Sequence, residues 1–340
     1  KWHVPHFEKM LYDNGQMVSL YSNAYLATKN NLYKEVVTQT LAFIARECTN
    51  SEGAFYSSYD ADSLTQEGAL EEGAYYVFTK EELTKELGED FELFSTYYNI
   101  NSFGLWENNH YVLIRSKSDP VICQEFGITN EVLQNKKEAW RNALLSYRNK
   151  RDKPRLDDKI LTSWNGLMLK GYVDAYKAFQ EPAYLQAALK NAHFIKSKQW
   201  QTSGSLFHSY KDGKSTINGY LEDYAAVIDG FIGLYEITLD SQWISIANEL
   251  TSYTYGHFFD SEKQLFYFTN DQDPSLITRS FEYRDNVIPA SNSMMAKNLS
   301  VLSHHFDNQT YATTASQMLK NVLPEIEKYP SGFSNWLDLL

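Results

Sequence analysis

The chain is poor in cysteine, in long apolar runs and in positive charge. Only Cys48 and Cys123 occur in 340 residues, without a CxxC or metal-like spacing, so neither a disulfide framework nor a thiol redox site is indicated. No apolar run approaches the ~18 residues that span a bilayer. The N-terminus also lacks a signal-peptide layout, so no membrane partner is expected and a cytoplasmic location is. Formal net charge is -12 with the acids scattered, which argues against a nucleic-acid partner. There is no opening Met: the chain starts at Lys1-Trp2-His3 and stops at "SNWLDLL", which reads as a helix start, so both ends are expected to cut through a larger protein.

What is abundant is apolar and aromatic. A 43% hydrophobic content suffices for a large core. The 25 Tyr, 19 Phe and 7 Trp suit either a cleft that stacks ring-shaped ligands or crowded helix interfaces.

The arrangement is repetitive. Four segments share a long apolar helix, a short polar turn and a second helix; the turns "ATKNNLYKE", "AFQEPAYLQ", "ITLDSQWIS" and "HFDNQTYAT" align Tyr33, Tyr184, Trp243 and Tyr311. Twenty-two residues after the first three anchors come Phe55, Leu206 and Leu265, each in a short alternating strand-like piece. Twenty residues before the four anchors stand Asp13, Trp164, Asp223 and Ser291, followed by Asn14, Asn165, Tyr224 and Asn292. The spacing predicts inner helices over about 7–28, 161–179, 222–239 and 291–306, alternating with more charged outer helices. That is an all-α (α/α)6 toroid with short β-hairpins at its rim, incomplete at the N-terminus. The whole of 1–340 is expected as one toroid domain. A segment at about 64–152, with a strand piece, two short helices and one long charged helix, is inserted in it.

The motifs "WHVPHFEKMLYDN" (2–14), "YDADS" (59–63), "EGAYYVFTKEEL" (72–83), "LDDKILTSWNGLML" (156–169), "GYLEDYA" (219–225) and "PASNSMMAKNL" (289–299) resemble the thioredoxin-domain-containing family that includes the spermatogenesis-associated proteins. The resemblance implies an (α/α)6 barrel similar to N-acylglucosamine 2-epimerases and six-hairpin glycosidases. It also implies a thioredoxin-like domain as partner, of which this chain carries no segment. No epimerase motif can be carried over residue by residue.

Inner helices of such a toroid gather their N-termini, with unpaired N–H groups and positive dipole ends, at one mouth. The catalytic candidates there are His3, His6, Asp13, Asp158 and Asp223. A His beside a carboxylate suits proton abstraction, and a pair drawn from Asp13, Asp158 and Asp223 suits glycoside cleavage. The substrate-binding candidates are Trp2, Trp164 and Tyr220 for stacking, Asn14, Asn165 and Asn292 for hydroxyls, and Tyr224 and Ser291 at the same phase of the repeat. Glu8, Asp60, Asp62, Asp157, Lys159 and Glu222 complete the acidic, aromatic rim. Asp157 or Asp158 can equally cap the following helix, and Asp60 and Asp62 can hold their loop through local bonds. His3-x-x-His6 offers only two local ligands around Pro5, so no metal and no cofactor are expected. The expected partner is a sugar-like small molecule, handled by epimerase-like, isomerase-like or glycosidase-like acid/base chemistry. The alternative is a non-catalytic sugar- or peptide-binding module serving the thioredoxin-like domain.

Overall fold

The computed structural model describes residues 3–65, 67–274 and 277–340, and the stacking candidate Trp2 lies outside them. The chain divides into two compact units, one of residues 1–9 and 59–156, the other of 10–58 and 157–340. In chain order the helices are α1 (Leu11–Thr28), α2 (Asn31–Phe43), α3 (Lys80–Leu87), α4 (Phe91–Tyr98), α5 (Asp119–Phe126), α6 (Asn130–Arg148), α7 (Thr162–Phe179), α8 (Pro182–Phe194), α9 (Leu221–Thr238), α10 (Ser241–His257), α11 (Ser291–Phe306), α12 (Gln309–Ile326) and α13 (Ser334–Leu339). Among the described residues no helix is long and apolar enough to cross a membrane.

The first unit packs α3 to α6 around Leu83, Phe94, Tyr97, Ile122, Leu133 and Trp140. Its short helices number three, one more than the sequence suggested, because Pro120 opens the extra turn of α5. Thr79 and Glu82 cap α3 reciprocally. Two small hairpins, Asp62–Leu64 with Leu70–Glu72 and Phe78–Thr79 with His110–Tyr111, complete it.

The second unit contains the repeat. Helix pairs α1–α2, α7–α8, α9–α10 and α11–α12 form four hairpins, and the inner helices pack in the series α1, α7, α9, α11. Helix α1 begins at Leu11 rather than Phe7, since Phe7 is buried with Val77 and Val112 in the first unit. Each inner helix closes on a left-handed residue that is not glycine: Lys29, Gln180, Leu239 and Asp307, with φ of 57, 54, 56 and 47°. That conformation costs each residue roughly 1–2 kcal/mol. Asn30, Asp240 and Asn308 then cap the outer helix by accepting its first N–H groups.

The anchors fix the angle of three hairpins through one recurrent contact. Tyr33, Tyr184 and Trp243 lie against rings twelve residues earlier on their own inner helices, Tyr21, Tyr172 and Phe231, at 5.5, 6.4 and 5.2 Å between centroids. Such pairs add about 0.5–1.5 kcal/mol beyond the area they bury. Neighbouring inner helices meet backbone to backbone. A Cβ on Gly15 would stand 2.9 Å from the Leu167 carbonyl carbon, and one on Gly166 would stand 2.6 Å from that of Ala226. Glycine after asparagine therefore sets the helix spacing.

The asparagines at the same phase hold the strand pieces. Asn165 accepts the Phe55 N–H at 2.9 Å and donates to the Phe55 carbonyl at 3.0 Å, as a neighbouring β-strand would. Asn292 repeats this on Phe266, both bonds at 2.8 Å. In the third hairpin the Tyr224 hydroxyl accepts the Leu206 N–H at 2.9 Å, and Gly219 N–H serves the Leu206 carbonyl. Each hairpin's strand piece is thus tied to the first turn of the next inner helix.

Candidate functional site

The N-termini of the inner helices are side by side, as the repeat phase requires. Asp223 in the first turn of α9 accepts the N–H of Ser163 in the first turn of α7 at 2.8 Å. Tyr12 meets Trp164 edge to face at 4.8 Å, which joins α1 to the same end. Glu282, in the loop before α11, accepts the Ser291 N–H at 3.0 Å and bears electrostatically on Glu222.

At this end the structure assembles His208, Glu222 and Asp223. Asp223 is fully buried, and its Oδ2 accepts the Tyr220 N–H at 2.8 Å and meets His208 Nδ1 at 2.9 Å. The carboxylate is only an acceptor, so this pairing assigns the proton to Nδ1 and leaves Nε2 as the working nitrogen. Burial disfavours the imidazolium. The hydrogen bond and charge of Asp223, with the charge of Glu222, outweigh it and raise the His208 pKa. Tyr220 crosses the imidazole edge to face at 4.9 Å and stacks on Phe268 at 5.1 Å, which fixes the ring from the other side.

Glu222 is pushed up to about 7, first by burial and then by the charges of Asp223 and Glu282, with His208 opposing. A half-buried carboxyl is therefore about half protonated at neutral pH, beside an oriented imidazole. The three side chains each offer a ligand atom within 4.8 Å of the others, so they are also where a metal ion would sit among the described residues. Asp223 has both oxygens occupied by three donors, which suits orientation of a histidine better than coordination.

The other expected residues divide. Asn165, Asn292 and Tyr224 are buried and hold backbone, with the Tyr224 ring stacked on Tyr253 at 5.5 Å. Asn14 bonds the Met10 carbonyl, and Asp13 is exposed. Asp158 pairs with Lys211 at 2.6 Å, which holds its carboxyl below the ordinary range. Asp157 accepts from the Lys159 N–H and pairs with its Nζ at 3.3 Å. Ser291 and Trp164 stay at the site, respectively buried and half-buried.

Five candidates belong to the first unit. His3 meets the Phe103 ring edge-on at 5.0 Å, and His6 and Glu8 are exposed. Asp60 pairs with Arg155 at 3.2 Å and accepts the Asp62 N–H at 3.4 Å, so it shapes its own loop. Sequence reasoning missed His208 and Glu282. The signal for His208 was its place two residues after Leu206, where the other repeats carry Ser57 and Tyr267.

No protein-family model matches the chain. It is similar to spermatogenesis-associated protein 20 of Homo sapiens, 32% identical over 330 residues that cover 88% of this chain and 42% of that protein. The protein of the same name from Mus musculus is 30% identical over 331 residues, again 88% and 42%. The chain thus spans less than half the length of these relatives. Among solved structures it is similar to cellobiose 2-epimerase from Bacillus thermoamylovorans, with a TM-score of 0.57 at 10% identity over 94% of this chain and 62% of that one. A GH76 alpha-mannanase of Bacteroides thetaiotaomicron gives 0.51 at 12% over 93% and 62%. The fold of this chain is of the α/α-toroid type that those enzymes share, with four of its helix hairpins among the described residues.

Proposed function

We propose that the chain is a carbohydrate-active enzyme that moves protons on a sugar in the manner of an epimerase or isomerase, and that it belongs with spermatogenesis-associated protein 20 in one family. The observation that carries this reading is the His208–Asp223 pair with Glu222 beside it, pushed up to about 7. In the step envisaged, His208 Nε2 takes the proton from the carbon next to the carbonyl of an open-chain sugar. Protonated Glu222 gives its proton to the carbonyl oxygen, forming an enediol. Return of the proton from His208 to carbon, while Glu222 takes one back from an enediol hydroxyl, yields the epimer or isomer with no net change in electrons. Asp223 positions the imidazole and stabilises its cation. The motif resemblance supports a thioredoxin-like domain as partner in the longer relatives.

The test is turnover by the purified chain across neutral mono- and disaccharides, read by proton exchange from solvent deuterium oxide. His208→Asn and Glu222→Gln should each slow exchange by about a thousandfold. A second reading, hydrolysis by Glu222 with Glu282, rests on the electrostatic coupling of those two acids. It predicts that His208→Asn stays active while Glu282→Gln does not. Binding without any turnover in the wild type would instead make the chain a binding module.

A further inference from the structure

The bore of the helical unit holds charged groups that the proton-transfer reading leaves unused. All four inner helices line a cavity of about 400 Å3, within the range of small-molecule sites. Helix periodicity connects it to the rim. Ser163, Leu167, Lys170 and Asp174 recur along one face of α7, and Glu222 and Asp229 stand seven residues apart on one face of α9. Seven residues at 1.5 Å rise place Asp229 about 10 Å below Glu222.

Asp229 lies deep in the unit yet keeps surface open to this cavity. Among the described residues no group donates a hydrogen bond to its carboxyl. Burial raises its pKa, while the charge of Lys170 opposes that rise. Lys170 donates to Asp174 Oδ2 at 2.7 Å, and Ser19 donates to the same oxygen. Burial disfavours the Lys170 ammonium, but Asp229 and Asp174 outweigh it and raise the pKa. The amine is therefore a hydrogen-bond donor and not a nucleophile. The charged groups that line the cavity, Lys170 and Lys297 against Asp229 and Asp338, balance, so it favours a neutral ligand. Its lining also includes apolar Leu20, Leu167 and Met294. A wall of carbon beside unspent polar groups matches a sugar ring, which has apolar faces and hydroxyls at its edge.

We propose that this cavity is a second sugar subsite, which holds the non-reacting ring of a substrate at least two rings long while the reacting ring sits at His208 and Glu222. Asp229 and Lys170 take that ring's hydroxyls. This rests on the function proposed above, because the rim must be where the reaction occurs.

The test is calorimetric titration of the full chain with glucose, cellobiose, mannose and mannobiose. At least one disaccharide should bind tenfold or more tighter than its monosaccharide. Asp229→Asn should lower that disaccharide affinity by about tenfold and leave the monosaccharide unchanged. Met294→Trp, which fills the cavity, should do the same, and melting curves confirm that both variants fold. Equal binding of one and two rings, or an unchanged disaccharide affinity in both variants, overturns the subsite. So does failure of all four sugars to bind. If the variants lose disaccharide binding but His208→Asn keeps turnover, the subsite stands and the proton-transfer reading falls.

Discussion

The first turns of α7 and α11 differ from that of α9, although all three occupy the same phase of the repeat. In α7 and α11 that phase carries asparagine, and both amide atoms are spent on the preceding strand piece. In α9 the pair is Asp223-Tyr224. Here the phenol supplies the acceptor half of the amide's role, and Gly219 N–H supplies the donor half. Asp223, one residue earlier, gathers Ser163, Tyr220 and His208. Chemistry thus enters the repeat where the structural duty is shared with a neighbour.

The largest effect that can break this contrast is on rate. His208→Asn should lower kcat by about a thousandfold, near the middle of the range for losing a positioned acid or base, with the melting temperature little changed. A loss below tenfold would return α9 to a purely structural role.

Next is stability. Asn165→Ala and Asn292→Ala should each cost about 2–4 kcal/mol in denaturant unfolding, since each strands a buried backbone N–H and carbonyl. Tyr224→Phe strands only the Leu206 N–H and should cost about 1–2 kcal/mol. Equal costs for all three would erase the distinction.

Glu222 supplies a pH-dependent test with a definite sign. Its folded pKa of about 7 exceeds the 4.5 of an unperturbed glutamate, so the native state resists its ionisation. Native stability is therefore lost as pH rises between those values. Glu222→Gln should be neutral near pH 4 and stabilising by roughly 2–3 kcal/mol at pH 8, measured by urea midpoints. In the wild type, kcat/KM should follow a bell, rising as His208 loses its proton and falling as Glu222 does, and the Gln variant should lack the falling limb. The smallest effect is expected at Asp158, tied to Lys211 on the surface: Asp158→Asn should leave kcat/KM within about twofold.

Much of the toroid was legible because its periodicities are local. The anchors Tyr33, Tyr184 and Trp243 and their partner rings twelve residues earlier are one hairpin apart, and the asparagine phase marked each inner helix to within a few residues. Asp223 and Glu222 could be found from the same phase. His208 could not, because its role arises only when the strand piece of the second hairpin lies against α9, a pairing across 15 residues and a turn. Glu282 lies in an irregular loop that no repeat reaches. Asp158 misled for the converse reason, as two adjacent acids before a helix look like caps or catalysts until Lys211 is brought across from the next strand.

The tie between each strand piece and the following helix also bears on how the chain acquires its structure. A hairpin made alone would present a backbone donor and acceptor with no partner, and only the arrival of the next first turn satisfies them. Order should then spread from one hairpin to its neighbour, as in a one-dimensional array of coupled units. A cut before α11 would therefore loosen the hairpin of α9 and α10 as well as removing its own, and the damage would travel toward the N-terminus, against the direction of synthesis.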